Sequence, residues 1–172
     1  QSIIDTVKNE FVRLPETRLN WKESAERWSI LECFEHLNRY SLYYHLQIAH
    51  SITNALKTDT AILETRSTWL GRKFIGMMDP DNVGKYRTYK KMNPRNCTLS
   101  VAILHKFLQN QEELLGLIRE ASSVNLNEVS IPVEFMNLLR MNIGDALQFV
   151  VIHEKRHVHQ AQRIRLKSEQ TA

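Results

Sequence analysis

Trp28-Ser29-Ile30-Leu31-Glu32-Cys33-Phe34-Glu35-His36-Leu37 is the stretch from which the fold can be read. Ser29 and Glu32 stand three apart at the head of an apolar run. At that spacing the serine hydroxyl accepts from the glutamate's backbone N–H while the carboxylate reaches back to the serine's own N–H, so a helix starts here. Cys33, Leu37, Tyr40, Tyr44, Ile48, Ser51 and Ala55 then carry a stripe of apolar or small residues through about seven turns. Trp28, just ahead of the cap, is placed to fix the angle at which the chain enters.

Three more long helices follow from period and punctuation. Upstream, Ile3, Ile4, Val7, Phe11 and Leu14 keep near-helical spacing up to Pro15. Downstream, Val101, Leu104, Leu108, Leu115 and Ile118 mark a helix that begins near Thr98 or Ser100 and ends at Ser122-Ser123-Val124-Asn125. The last helix opens at Asn142, a good N-cap, and carries Ile143, Leu147, Val150, Ala161 and Ile164 on one face together with His153 and His157. Between the second and third helices, Lys57 to Cys97 is rich in turn formers: Gly71, Gly76, Asp79-Pro80-Asp81-Asn82, Gly84 and Asn93-Pro94. A short helix over Ser67 to Met78, with Trp69, Leu70, Phe74, Met77 and Met78 inward, fits inside it. A connection of this length in a compact domain often covers a site. A second loop holds Ile131-Pro132, with a short turn over 133–139. The expected fold class is all-α, a four-helix bundle with long connections, in one domain over 1–172.

Composition agrees with that class. The 172 residues are 42% hydrophobic and 24% charged, which argues against disorder, and five glycines with four prolines are too few for an all-β domain. No apolar run approaches the roughly 20 residues of a membrane span. Gln1-Ser2-Ile3-Ile4-Asp5 lacks the basic and apolar regions of a secretion signal, and two cysteines, Cys33 and Cys97, make no disulfide framework, so a reducing, cytoplasmic setting is expected. The net charge of +4 is concentrated locally. Lys85, Arg87, Lys90, Lys91 and Arg95 share an acid-free stretch, and Lys155, Arg156, Arg163, Arg165 and Lys167 lie near the C-terminus. Such clusters attract nucleic acid or a small anion, but are more commonly a solvated face, and a nucleic-acid partner is disfavoured.

Of the seven histidines, His153 and His157 stand out, because four residues apart on a helix they project from one face one turn apart. Two imidazoles so placed can share a metal ion, and zinc, nickel or iron accepts neutral imidazole nitrogen directly. His36, on the inward shoulder of the second helix, is the best third ligand. Three protein ligands leave coordination positions free for water or substrate, as in catalytic sites. The competing reading is that such histidines are satisfied core residues. His45, His50 and His105 have no such spacing, and His159 falls on the outer face. His153-Glu154-Lys155-Arg156-His157 also satisfies the H-E-x-x-H pattern of zinc proteases, but only Glu169 follows as a further ligand and no strand is evident to bind a peptide.

Trp28-Ser29, Glu32 and Glu35-His36-Leu37, followed at the far end by Asn142-Ile-Gly144-Asp145-Ala146-Leu147 and His153-x-x-x-His157-x-x-Gln160, resemble the opening and closing helices of the DinB/YfiT-like metalloenzyme family, the DinB superfamily. The resemblance runs from the first helix to about Arg165. It implies a four-helix bundle of up-down-down-up topology and a divalent metal, typically nickel or zinc, held by three histidines at the positions of His36, His153 and His157. Members include thiol-cofactor S-transferases such as bacillithiol transferase, the mycothiol-dependent maleylpyruvate isomerase, and proteins described as metal-dependent hydrolases. There is no similarity to the lesion-bypass polymerase of the same name.

A metal with a free position can hold a low-molecular-weight thiol as thiolate or lower the pKa of water, so S-transfer and hydrolysis are both open. Gln160 is a candidate second-shell or substrate hydrogen bond and equally a structural amide. Tyr40 and Tyr44 are candidate donors to a bound anion, or core residues with a polar tip. Cys33 is a candidate fourth ligand, though a small core residue is the simpler reading. The basic stretch from Lys85 to Arg95 is a candidate for binding a thiol cofactor's carboxylates. The expectation is a cytoplasmic metalloenzyme acting on a small molecule. The alternatives are a non-catalytic binding or stress-response bundle with a structural or absent metal, and, further off, a basic nucleic-acid binder. Exposed apolar residues on the first and third long helices would suit a homodimer.

Overall fold

In the computed structural model the backbone N–H of Ser29 donates to Glu32 Oε2 at 2.9 Å and that of Glu32 to Ser29 Oγ at 3.2 Å, so the reciprocal cap forms as expected. It opens α3 (Ile30–Asn54). Glu32 is fully buried, and its other oxygen accepts from Lys22 Nζ at 2.6 Å, which leaves the buried charge paired. The structure describes residues 1–57, 65–82, 84, 86–95, 97–134 and 136–171, the side chain of Asn137 excepted. Lys85 of the basic stretch lies outside them. Besides α3 the described elements are α1 (Ser2–Glu10), α2 (Glu16–Leu19), α4 (Trp69–Met78), a 3-10 turn at Lys90–Met92, α5 (Ala102–Ala121), β1 (Ser130–Val133), β2 (Met136–Asn142) and α6 (Ile143–Gln170). The protein is mostly helical.

The helical class holds with one addition, a small two-stranded sheet. The stretch around Ile131-Pro132, expected as a loop with a turn, is an antiparallel hairpin in which Ser130 faces Asn142 and Ile131 faces Met141. Ile131 and Val133 are buried on one face, the alternation of a half-buried strand. In a two-stranded sheet both strands are edges, so Pro132 is tolerated despite lacking an N–H, and the register shifts just after it.

Helix boundaries and faces also differ in places. α1 ends at Glu10 instead of reaching Pro15, and Pro15 caps α2, which was not expected. Trp69 of α4 is 68% exposed, with Lys73 Nζ 5.2 Å from its ring, while Phe74 faces inward. On α5 the buried face runs through Leu104, Phe107, Asn110, Gln111, Leu114, Leu117 and Ala121, and Ile118 is exposed. The polar Asn110 and Gln111 sit on the buried face and hide its phase from an apolar-only count. Large exposed apolar side chains occur on α3 (Leu42 and Leu46) and on α5 (Ile118), and none is found on α1.

The chain divides into two compact units, both of which α3, α5 and α6 enter: Gln1–Arg39, Tyr86–Gln111 and Glu154–Ala172 in one, Tyr40–Lys85 and Glu112–His153 in the other. The core of the first includes Val7, Leu19, Leu37, Leu104 and Val158, with Phe34 edge-on to Phe11 at 5.4 Å and to Phe107 at 5.0 Å. The core of the second gathers Ile48, Leu114, Leu117, Val133, Met141 and Phe149. There Asn142 Oδ1 accepts from the N–H of Asp145 at 2.7 Å and so caps α6 as expected. The buried Asp145 carboxylate accepts from Ser67 Oγ, from the backbone N–H of Thr68 and from Thr68 Oγ1, at 2.5, 3.0 and 2.8 Å. Those bonds fix the start of α4. No helix among the described residues is long and apolar enough to cross a membrane.

Candidate metal centre

Helical spacing sets His153 and His157 one turn apart on α6, and α3 supplies His36. One ring nitrogen from each lies within 4.8 Å of the others. Nitrogens sharing a tetrahedral zinc at about 2.0–2.1 Å would be about 3.4 Å apart, so a modest tightening of side chains would let the group hold an ion.

The protonation of the rings suits that use. His36 is buried, with Nδ1 2.7 Å from the backbone carbonyl of Met92. A carbonyl only accepts, so Nδ1 carries the proton and Nε2 keeps its lone pair for a ligand bond. Burial pushes the His36 pKa down to about 4, against the pull of the Met92 bond and with help from the Arg39 charge. His157 places Nδ1 3.0 Å from Gln160 Oε1, an acceptor that selects the same tautomer. Burial, and then the neighbouring His36, hold the His157 pKa well below its usual value, opposed by the Gln160 bond. Its ring packs 4.6 Å from His36 and 5.7 Å from Trp28. His153 stacks on Phe149 at 5.5 Å and leans on Tyr40 at 4.5 Å. The depressed values keep His36 and His157 as neutral imidazoles at pH 7, the form a divalent metal binds without displacing a proton. His36 and His157 in this state, with His153 beside them, make a group that could hold a metal ion.

A model of the DinB superfamily matches residues 5–161. The chain belongs to the DinB superfamily. No curated protein and no solved structure gives a match.

The other candidate residues of this DinB-superfamily chain divide into those that touch one of the three histidines and those that do not. Gln160 is bonded to His157. Tyr40 lies against His153 and stacks on Tyr44 at 6.0 Å. Burial, followed by the Glu134 carboxylate, raises the Tyr40 hydroxyl above its usual range, so it stays protonated and able to donate. Tyr44 is fully buried and packs edge-on to Tyr43 at 5.2 Å. Cys33 is fully buried in the apolar core of the first unit, outside the histidine group, and burial raises its thiol far above the reactive range. His50, His105 and His159 are exposed, while His45 is buried, with Nδ1 3.5 Å from Glu113.

Glu154, the glutamate of the H-E-x-x-H pattern, is buried and accepts from Gln111 Nε2 of α5 at 2.7 Å. Burial raises its pKa to about 8 although the Gln111 bond lowers it, so at neutral pH it is a protonated acid. Turned to Gln111 and protonated at neutral pH, it is not a free carboxylate base of the kind a protease needs.

Sequence reasoning missed the backbone carbonyl of Met92, the Glu134 carboxylate near the tyrosines, and Arg39, whose place three residues after His36 was the one available signal.

Proposed function

We propose that this DinB-superfamily chain is a divalent-metal-dependent enzyme that acts on a small molecule, as a thiol S-transferase or a hydrolase. The observation that carries the reading is a group of three histidines, two of them with Nδ1 engaged by an acceptor and both held neutral by burial. Three protein ligands are the number used where a further position serves a reacting molecule.

His36, His153 and His157 are the ligands, and nickel or zinc is the ion that suits them. A bound ion would supply a Lewis acid that makes a thiol or water ligand nucleophilic near neutral pH. Gln160 holds the His157 proton at Nδ1. Tyr40, protonated and touching His153, offers a donor to a bound anion, and Tyr44 supports its ring. Arg87, Lys90, Lys91 and Arg95 belong to the segment that contains Met92, which suits a substrate or thiol cofactor carrying carboxylates. Residues 1–172 form one up-down-down-up four-helix-bundle domain with α1, α3, α5 and α6 as its helices, in the cytoplasm, and the exposed Leu42 and Leu46 suit a homodimer.

The test uses protein purified without an affinity tag, loaded with nickel or zinc, and supplied with a small thiol and an alkyl halide acceptor. In the transferase form the sulfur–carbon bond forms as halide leaves and the thiol proton passes to solvent. Metal-dependent thioether formation that disappears in folded His157→Ala supports transfer, and metal-dependent ester or amide cleavage supports hydrolysis. Equal rates in metal-free and metal-loaded protein, for both reactions, would contradict an enzyme of either kind.

A further inference from the structure

Three consecutive carbonyls of one connection, those of Lys91, Met92 and Asn93, all accept from side chains of α3. Arg39 Nη1 donates to Lys91 O and to Asn93 O, each at 3.1 Å. The carbonyl between them takes the Nδ1 proton of His36 at 2.7 Å. Arg39 is itself aimed by Glu35, whose Oε1 accepts from Nε at 2.8 Å. The same connection is pinned again at Asn93, where Oδ1 accepts from Trp28 Nε1 at 3.2 Å, and the Trp28 ring lies 4.8 Å from that of His36. Pro94 restricts Asn93 to the extended backbone it adopts, with φ −91° and ψ 111°.

We infer that Arg39 is a positioning residue of the metal centre. By bonding the carbonyls on both sides of Met92 it holds the acceptor that selects the His36 tautomer and orients its Nε2. The inference rests on the metal-site reading above. The partner bonded to His36 is the Met92 carbonyl, and losing such a partner typically costs about 10–100-fold in metal affinity, which sets the ceiling for loosening it through Arg39.

Charge and geometry predict opposite signs, which makes the test decisive. Removing a guanidinium near the site lessens repulsion of a cation, so electrostatics would tighten metal binding in Arg39→Ala. The clamp requires binding to weaken, by severalfold and at most about 100-fold. Zinc affinity is measured by chelator competition at one pH, and the His36 tautomer by nitrogen-15 NMR of the metal-free protein. Arg39→Lys, which keeps the charge and can reach one carbonyl, is expected to lie between wild type and Arg39→Ala. Should Arg39→Ala fail to fold, Arg39→Lys and Asn93→Ala, which loosens the same connection from the Trp28 side, are read by the same two measurements. Weaker zinc binding together with loss of the single Nδ1–H tautomer supports the inference. Affinity equal to or above wild type with the tautomer unchanged overturns it. If wild type binds no zinc, the metal reading fails, and the tautomer measurement still decides whether Arg39 positions His36.

Discussion

Glu154 lies between the two histidines of α6 and Gln160 three residues beyond them, and the two side chains are engaged differently. Gln160 accepts the Nδ1 proton of His157, and Gln160→Leu keeps the bulk while removing the acceptor. Its zinc affinity should fall about tenfold or more with little change in apo stability, a result that chelator competition and thermal melts can check together. Glu154 is a buried acid whose pKa rises to about 8 on folding. The folded state therefore binds more protons than the unfolded one from about pH 4.5 to 8, and stability contributed by this group is present at low pH and lost as pH rises through that window. Glu154→Gln, which keeps the oxygen that accepts from Gln111, should raise apo stability at pH 8 and flatten the decline between pH 5 and 8. An unchanged pH profile in denaturant titrations would contradict the assignment. At this scale the grouping of His153, His157 and Gln160 was legible because α6 sets their spacing locally, and that of His36 with the two histidines because it stands on the inward face of α3. The Met92 acceptor was not, since a backbone carbonyl carries no residue-type signal and lies 56 residues from His36. Nor was the burial of Glu154, which depends on α5 and not on its own helix.

Helix ends and close approaches decide the elements. Ser29→Ala removes one half of the α3 cap and should cost about 1 kcal/mol. Gly71 is less forgiving: a Cβ there would stand 2.1 Å from the Asp145 carboxylate, which already receives the bonds that start α4. Gly71→Ala is expected to cost about 1–3 kcal/mol as an overpacking change, read as a lower urea midpoint, and a neutral effect would show that α4 can shift without loss. Elements whose signal lies in adjacent residues were readable: the Ser29/Glu32 cap, the length of α3 and the Asn142 cap. The hairpin was not, because Pro132 reads as a strand breaker unless the strand is known to be an edge. The phase of α5 misled because Asn110 bonds to Asn38 and Gln111 to Glu154 on its buried face, so polar residues occupy core positions.

For the whole molecule, the depressed histidines set the acid limit. With His36 at about 4 in the folded chain and near 6.5 when unfolded, the unfolded state binds more protons between those values, so stability present above pH 6.5 is lost as pH falls toward 4. Apo melts should show that loss, and His36→Ala should reduce it. A metal that binds only the folded chain would add about 2.7 kcal/mol at a hundred times its Kd. The overall helical class followed from apolar periodicity and the family from two short motifs in order, whereas the division into two units and the hairpin depend on contacts between distant residues. The central claim is that His36, His153 and His157 hold one divalent ion together. Its most direct test is calorimetric titration of nickel or zinc into tag-free wild type and into each single histidine-to-alanine variant. One ion per chain in wild type, with binding lost or sharply weakened in all three folded variants, is the predicted result; wild-type affinity retained in any one of them would contradict it.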